Sequence, residues 1–186
     1  MESNFRFIEK NIDVSKILNQ VLSNPQDWKA VSAYKNISGD LEPYGFLPLV
    51  MAWVKEEGVS PKDTEHQMNT PMYKKYTEIR KWLKIQGITE ISRAAFFKLR
   101  IDGSVGRHVD EGTYYSTRDR FHLSLQGRYL YHVDGEEHVI EPGTWFWFNN
   151  KKHHWAKNIS PDTERITFVW DVPHHVKHPN NSRNFI

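Results

Sequence analysis

The stretch of sequence that decides the fold lies between residues 98 and 172. It contains the segments KLRIDGSVGRHVD (98–110), RFHLSLQGRYLYHVDG (120–135), GTWFWFNNKKHHWAKN (143–158) and ERITFVWDV (164–172). Apolar and polar residues alternate in these segments, which is typical of strands with one buried face. Turn residues separate them, and Asp-Gly pairs stand at 102–103 and 134–135. Because Asp-Gly between alternating strands is a strong hairpin signal, we expect antiparallel pairing.

The regular spacing of short strands and turns indicates the fold class. We predict strands at 94–101, 120–125, 128–133, 137–140, 144–148, 154–158 and 166–172. Short antiparallel strands at such regular spacing are typical of a jelly roll or a cupin-like double-stranded β-helix. The chain is therefore predicted to be mainly β, with N-terminal helices packed against this core.

The N-terminal half has a different texture. A short strand is expected at 5–8, a helix at 14–23 with Asp13 as its N-cap, and a strand at 27–34. Thr70-Pro71 begins a second predicted helix, which ends at Gly87. The segment 39–70 leaves two interpretations open, a cover that contacts substrate or a plain surface loop.

The length of 186 residues suits one domain. We expect residues 1–90 to form a mixed helical support, 91–173 the catalytic β core and 174–186 a polar tail. No internal repeat divides the chain.

Composition excludes several classes of protein. A net charge of +2 and the absence of a block of like charges give no reason to expect nucleic acid as a partner. With no cysteine in the chain, a metal would need nitrogen and oxygen ligands. Neither a signal peptide nor a membrane-spanning run is evident, so a cytoplasmic protein without a membrane partner is expected. The oligomeric state cannot be read from the sequence.

Two histidines and an aspartate have the spacing of a metal site. His108 and Asp110 are two residues apart, so both side chains would point to the same side of an extended segment. A third ligand follows at His153 or His154, and strand alternation alone leaves that choice open, with some preference for His154. Two imidazoles and one carboxylate form the facial triad of non-haem Fe(II) oxygenases, which leaves three positions open.

Two further pairs could bind an acidic co-substrate. Arg165 and Thr167 share one face of the last strand, where a guanidinium and a hydroxyl could hold the distal carboxylate of 2-oxoglutarate. Arg120 and His122 form a second pair on one face, which could contact the co-substrate near the metal or a carboxylate of the substrate. Read singly, Arg165 would be an edge-strand residue and His122 a buried histidine.

Taken together, GRHVDEG, DRFHLSLQG, WFNNKKHHWAKN and ERITFVWDV resemble the aspartyl/asparaginyl β-hydroxylase family of Fe(II)- and 2-oxoglutarate-dependent oxygenases. The resemblance covers roughly residues 95–173. It implies His108, Asp110 and His154 as the iron ligands, because the family's pattern around Phe148 and Asn149 places the second histidine at His154. It also implies that Arg120 and His122 contact 2-oxoglutarate, and that Arg165 binds its far carboxylate.

The function expected from this resemblance is hydroxylation of an amino-acid or peptidyl side chain, with Fe(II), 2-oxoglutarate and O2 consumed and succinate and CO2 released. The substrate could be a small molecule, a peptide or a protein. The alternative is a cupin-like metal-binding module or isomerase that uses the same barrel without 2-oxoglutarate.

Three other groups of residues have more ordinary interpretations. His174, His175 and His178 lie beyond the last predicted strand, so they are expected to be surface residues. His132 and His138 are expected on a hairpin. In the alternating run of Trp145, Phe146, Trp147 and Phe148, one pair should belong to the core and the other could line the cleft.

Overall fold

The computed structural model describes residues 3–30 and 45–176, apart from the side chains of Lys29 and Ala30. Within these ranges, strands predominate. They are β1 Phe5–Glu9, β2 Lys29–Ala30, β3 Gly45–Ala52, β4 Gln67–Asn69, β5 Ala94–Leu99, β6 Ser104–His108, β7 Arg118–Gln126, β8 Tyr129–Val133, β9 Glu136–Ile140, β10 Trp145–Phe148, β11 His154–Asn158 and β12 Arg165–Pro173.

Four short α-helices accompany the strands in the described ranges. They are α1 Ser15–Leu22, α2 Pro71–Lys75, α3 Thr77–Ile85 and α4 Thr113–Ser116, and a 3-10 turn spans Pro25–Asp27. No helix in the part of the chain described here is long and apolar enough to cross a lipid bilayer.

The strands form two antiparallel sheets that face each other. The larger sheet has the order β1-β10-β7-β12-β5-β3-β2, with β4 paired to β3, and the smaller sheet has the order β6-β11-β8-β9. This arrangement is the predicted jelly-roll, cupin-like double-stranded β-helix, and the fold-class prediction is confirmed. The non-consecutive neighbours β7 and β12 place residues distant in sequence side by side at the centre of the larger sheet.

Two hydrophobic clusters hold the layers together. Between the sheets, Tyr131, Phe146 and Phe148 pack with Tyr129 and Val133. On the outer face of the larger sheet, α1 and α3 pack their apolar side chains against the strands, and Trp82 meets Trp145 and Trp170 edge to face at 5.2 and 5.9 Å. Neither cluster includes the polar residues that lie between the two sheets at one end.

The predicted elements agree closely with the observed ones in the second half of the chain. Each of the seven predicted strands is present within about two residues of its expected limits. The turn at Asp134-Gly135 has φ of 46° and 88° at the two residues, which is the type I′ geometry that the Asp-Gly signal predicts. Both predicted helical regions are also present.

Several expectations for the N-terminal half need correction. The helix that begins after Thr70 is divided at Tyr76, whose ψ of 77° directs its buried ring into the core, where its hydroxyl donates to Asp27 at 2.9 Å. The apolar run in segment 39–70 is β3, a strand of the larger sheet. The expected strand at 27–34 is described only as β2, since residues 31–34 lie outside the described ranges.

Strand β6 is not predicted from the sequence, because Gly103 and Gly106 are typical of a turn. It pairs with β11, and this pairing sets His108 directly opposite His154.

Candidate metal and co-substrate site

Three metal-ligand side chains converge at one end of the smaller sheet. One ligand atom each from His108, Asp110 and His154 lies within 4.8 Å of the others, and no second cluster of three such residues occurs in the described ranges. His108 ends β6 and His154 begins β11, so the antiparallel register brings their rings to a centroid distance of 4.2 Å. Asp110 reaches the same point from the segment that follows β6.

Backbone carbonyls fix the orientation of both imidazoles. Nδ1 of His108 lies 2.8 Å from the carbonyl oxygen of Gly106, and Nδ1 of His154 lies 2.9 Å from that of Lys152. A carbonyl oxygen can only accept, so each Nδ1 carries the proton and each Nε2 keeps its lone pair. The two Nε2 atoms are therefore available to bind a metal ion.

The carboxylate of Asp110 is held by one of its two oxygens. Oδ2 accepts hydrogen bonds from Nη1 of Arg120 at 2.8 Å and from Nδ2 of Asn150 at 3.0 Å. Oδ1 lies 3.8 Å from Nε2 of His108 and faces the cluster. Burial by itself would raise the pKa of Asp110. The charge of Arg120, with smaller contributions from His154 and from the hydrogen bond of Asn150, lowers that pKa below its usual value. Asp110 is therefore an anion with one oxygen left for a metal.

The alternative ligand His153 is on the surface. His153 is exposed, whereas His154 is 2% exposed and points between the sheets. Burial lowers the pKa of His154 to about 4, so the ring is neutral at physiological pH and its lone pair is free of a competing proton. The structure thus brings His154 into the cluster and leaves His153 outside it.

Arg165 lies on the facing sheet and is preorganised. Its guanidinium is buried over the ring of Tyr129 at 4.2 Å, and its Nε donates to Oγ1 of Thr167 at 2.9 Å. No carboxylate of the described residues forms an ion pair with it. Thr167 is fully buried, and its hydroxyl accepts this hydrogen bond and so orients Arg165.

Arg120 has more partners than the sequence suggested. In addition to Asp110, it binds the carboxylate of Asp171 in a bidentate manner, with Nε to Oδ1 at 2.8 Å and Nη2 to Oδ2 at 3.0 Å. Asp171 also accepts from the hydroxyl of Tyr114 at 3.1 Å. Arg120 therefore lines the site while it joins one metal-ligand candidate to the centre of β12.

His122 lies inside an aromatic enclosure formed by Tyr131, Phe146 and Phe148, with ring centroids 5.1 to 5.4 Å away. Burial, with the positive charges of Arg165 and Arg120, lowers its pKa well below the usual value. Its buried Nδ1 has no hydrogen-bond partner among the described residues. A neutral imidazole with an unpaired nitrogen in the cavity wall is suited to bond a ligand there.

The cavity beside the cluster has a volume of about 80 Å³ and is lined by residues of both sheets. His108 and His154 line it together with Arg165, Arg120 and His122. A dicarboxylate that reached a metal ion at the cluster could therefore extend its other end towards Arg165.

Four other histidines of the described residues lie apart from the cluster. His132 stacks on Trp155 at 5.2 Å, and His138 packs on Phe5 at 4.7 Å, so both belong to the surface of the smaller sheet. His174 lies 3.7 Å from Asp119, and His175 is largely exposed near Glu90. His178 lies outside the described residues.

In the aromatic run, the two faces of β10 have different roles. Trp145 belongs to the outer cluster, and Trp147 packs against it. Phe146 and Phe148 belong to the inner one, and Phe148 lines the cavity.

Sequence reasoning missed two residues that support the cluster. Asn150 donates to Asp110, and Lys151 donates through Nζ to Oδ1 of Asn150, which turns the amide so that Nδ2 faces Asp110. The adjacent pair Asn149-Asn150 was visible, but only the geometry of the turn before β11 shows which amide points inward. Asp171, the partner of Arg120, lies in the mostly apolar strand β12, so its role could not be predicted from the sequence.

Comparison with known proteins identifies the family and agrees with the fold. The sequence profile of the aspartyl/asparaginyl β-hydroxylase family matches residues 11–175. An oxidoreductase of the 2OG-Fe(II) oxygenase family from Burkholderia pseudomallei has a similar fold, with a TM-score of 0.58 and 13% identity, over 92% of this chain and 86% of that one.

A predicted oxalate decarboxylase from Thermotoga maritima aligns with a TM-score of 0.46 and 14% identity, over 78% of this chain and 91% of that one. A Cupin 2 conserved barrel protein from Salinispora arenicola aligns over 42% of this chain and 60% of that one, with a TM-score of 0.34 and 15% identity. No curated protein matches the chain by sequence.

Proposed function

The chain belongs to the aspartyl/asparaginyl β-hydroxylase family, and from that premise we propose that it is an Fe(II)- and 2-oxoglutarate-dependent dioxygenase that hydroxylates an amino-acid or peptidyl side chain. The observation that carries this proposal is the arrangement of the cavity. Two of the three clustered ligand residues, His108 and His154, line the same cavity as Arg165, which is buried and has no ion-pair partner among the described residues.

The residues present fit a divalent metal ion. His108 and His154 offer Nε2 because their Nδ1 protons are committed to carbonyl oxygens, and Asp110 offers Oδ1 because Oδ2 is committed to Arg120 and Asn150. Two nitrogens and one oxygen form the facial set used by non-haem iron. The assignment of iron rather than manganese, cobalt or nickel follows from the reaction class, since each of these ions accepts such ligands.

Bound Fe(II), together with 2-oxoglutarate and O2, supplies the oxidant that converts a substrate C–H bond to C–OH and leaves succinate and CO2. The chain's own residues bind and orient the reactants. Arg165 would hold the distal carboxylate of 2-oxoglutarate, because its planar guanidinium forms two parallel hydrogen bonds with a carboxylate. Nδ1 of His122, otherwise unpaired, would bond the same co-substrate between Arg165 and the metal ligands.

Aromatic side chains form part of the wall of this cavity, so a co-substrate that filled it would exclude water. Tyr131 and Phe148 line it and belong to the cluster between the sheets, with centroids 4.8 Å apart. A dry cavity strengthens the bonds of Arg165 with its ligand and protects a reactive oxidant from side reactions. The reaction requires no side chain to act as a general base, so the protein's contribution is binding, orientation and exclusion of water.

The competing function is that of a cupin-like metal-binding module or isomerase, which would use the barrel without 2-oxoglutarate. That function gives no role to Arg165, whose burial without a paired carboxylate is costly unless an anionic ligand binds there. The two functions differ in one observable: the alternative requires metal binding without 2-oxoglutarate binding.

Formation of succinate from 2-oxoglutarate, in air and with Fe(II), tests the proposal. Oxygenases of this class turn over slowly without substrate, so the wild type should form succinate, while Asp110→Ala and His108→Ala should form none above the protein-free rate. Glu111→Ala is the matched control, because Glu111 is exposed and next to Asp110 in sequence. Wild-type rates in either ligand variant would contradict the proposed site.

A further inference from the structure

A second cavity of about 220 Å³ adjoins the cavity beside the metal cluster. The two cavities share Phe97, Arg120 and Val169 in their walls. The ligand residues His108 and His154 line only the first, whereas β3 and the start of β5 line the second. A molecule in the second cavity could therefore extend past Phe97 and Val169 towards the cluster, which is the position that a substrate for hydroxylation must occupy.

Most of the wall of the second cavity is apolar. Side chains from β3 contribute Phe46, Val50 and Met51, and β5 contributes Ala94 and Ala95. The two alanines leave space between the larger side chains, and Met51 is 39% exposed at the edge. The wall thus favours a compact apolar group, because burying such a group removes apolar surface from water on both sides.

Arg93 is one of three charged residues in this wall, with Arg120 and Asp171. Its guanidinium stacks on the ring of Tyr114 at 3.5 Å, and its Nη2 donates to the carbonyl oxygen of Thr64 at 2.9 Å. Its Nε is buried and has no hydrogen-bond partner among the described residues. These contacts orient the guanidinium while leaving donors unused.

The two other charged residues of this wall, Arg120 and Asp171, form an ion pair with each other. Arg120 is neutralised by Asp110 and Asp171, and those carboxylates are engaged in turn. In contrast, no acidic side chain in the described ranges lies within ion-pair distance of Arg93. Arg93 therefore places one unpaired positive charge in the wall of a mostly apolar cavity. Such a charge would bind one anionic group of the occupant.

We propose that this cavity binds the primary substrate, and that the substrate is a small carboxylate with a compact apolar body. The carboxylate would bind Arg93, and the apolar body would extend along Phe97 and Val169 towards the metal ligands. This inference rests on the proposed function, since it assigns the carbon to be hydroxylated to the end of the molecule that points at the cluster. It makes Arg93 a specificity-determining residue.

A matched pair of probes tests the role of the charge. 4-Methylpentanoate and its neutral amide, 4-methylpentanamide, have the same apolar body. Binding would be measured by calorimetry under anaerobic conditions, with Mn(II) and saturating 2-oxoglutarate present so that Arg165 is already occupied. We expect the acid to bind about tenfold to a hundredfold more tightly than the amide, which is the range for a hydrogen bond to a charged group.

Variants identify the residue responsible. Arg93→Gln should remove the preference for the acid, and Arg93→Lys should retain part of it, which separates loss of charge from loss of folding. Arg107→Gln is the matched control, because Arg107 is exposed and next to His108 but lines neither cavity. It should keep the full preference.

Three results would overturn the inference: no saturable binding of the acid, equal binding of acid and amide, or an undiminished preference in Arg93→Gln. Binding of 2-oxoglutarate to the metal-loaded protein, measured separately, reports on the proposed function. If 2-oxoglutarate binds and the acid shows no preference, the substrate assignment fails while the proposed function stands.

Discussion

At the metal cluster, each side chain has one polar atom engaged in hydrogen bonds, which leaves its other polar atom available to a metal. Nδ1 of each histidine donates a hydrogen bond to the carbonyl oxygen two residues earlier. Oδ2 of Asp110 accepts hydrogen bonds from Arg120 and Asn150. Such outer bonds orient ligands before a metal arrives and raise its affinity. The cluster therefore depends on residues that would not themselves touch the metal.

Asn150 allows a test of this dependence. Asn150→Ala removes the hydrogen bond to Oδ2 of Asp110 and should weaken Mn(II) binding by about tenfold to a hundredfold. The metal affinity can be measured by calorimetry at fixed pH. Lys152→Ala is the control, since the exposed Lys152 side chain does not contact the cluster and its carbonyl, which accepts from His154, is retained. Equal losses in both variants would argue against a role for the amide.

His122 predicts how stability changes with pH. In the folded protein its pKa lies well below the usual 6.5, so the unfolded chain takes up a proton that the folded protein does not. The free energy of unfolding should therefore fall as pH drops below about 6.5, by up to about 1.4 kcal/mol per pH unit for this group. His122→Phe should reduce that slope in urea unfolding of the metal-free protein between about pH 7 and pH 5. An unchanged slope would show that His122 does not remain neutral.

Sequence reasoning at this scale could predict side chains whose direction follows from strand alternation. His108, Asp110 and Arg165 were predicted because spacing of two residues fixes a shared face. It could not predict Asn150, whose direction depends on the turn between β10 and β11, or the partnership of Arg120 with Asp171, which depends on the pairing of β7 with β12. Thr167 shows the same limit, since its hydroxyl bonds Arg165 within the strand.

Among the elements, the hairpin between β7 and β8 contacts the backbone of Arg165 directly. Gly127 turns there with φ of 77°, and a Cβ added to it would lie 2.9 Å from the Cα of Arg165. Any larger residue would both strain the turn and displace the backbone that carries the guanidinium. The hairpin turn therefore sets the position of the proposed co-substrate anchor.

This coupling can be tested with two glycines. Gly127→Ala should weaken 2-oxoglutarate binding to the metal-loaded protein and lower thermal stability. Gly135→Ala is the control, because Gly135 has a similar φ of 88° but nothing within 4 Å of an added Cβ. It should cost only the conformational strain, about 1–2 kcal/mol, and leave 2-oxoglutarate binding unchanged. Equal effects on binding would mean that the close approach to Arg165 is unimportant.

The elements were predicted well where alternation and turn residues agree, as in β7 to β12. Prediction failed where local signals pointed elsewhere. Gly103 before β6 and Gly106 within it suggested a turn, and Pro48 made β3 look unlike a strand. Tyr76 divides the second helical region because its buried ring and its bond to Asp27 outweigh helix continuity, a tertiary effect that helical periodicity does not contain.

In the molecule as a whole, the helices support the larger sheet from the side opposite the site. Trp82 of α3 packs against both Trp145 and Trp170, so α3 is docked through an aromatic cluster. β1 and β3, from the N-terminal half, extend the same sheet. That contribution could not be predicted from sequence, because strand pairing between residues so far apart leaves no local signal.

Truncation of Trp82 should destabilise the protein without altering the chemistry of the site. Trp82→Ala should lower the free energy of unfolding by about 3–5 kcal/mol, because it leaves a cavity that the sheet cannot fill. Urea unfolding measures this change, and Ile85→Ala, at an 80% exposed position of the same helix, should change it by less than about 0.5 kcal/mol. The folded variant should bind metal with unchanged affinity. A small loss of stability would show that α3 contributes little to the core.

The measurement that tests the central claim most directly is an anaerobic titration of the Fe(II)-loaded protein with 2-oxoglutarate, followed by visible absorption. The proposed function predicts a weak metal-to-ligand charge-transfer band that saturates with the wild type and is lost, or needs far more 2-oxoglutarate, in Arg165→Ala. Absence of the band from wild-type protein with demonstrably bound metal would contradict the account and favour the cupin-like alternative.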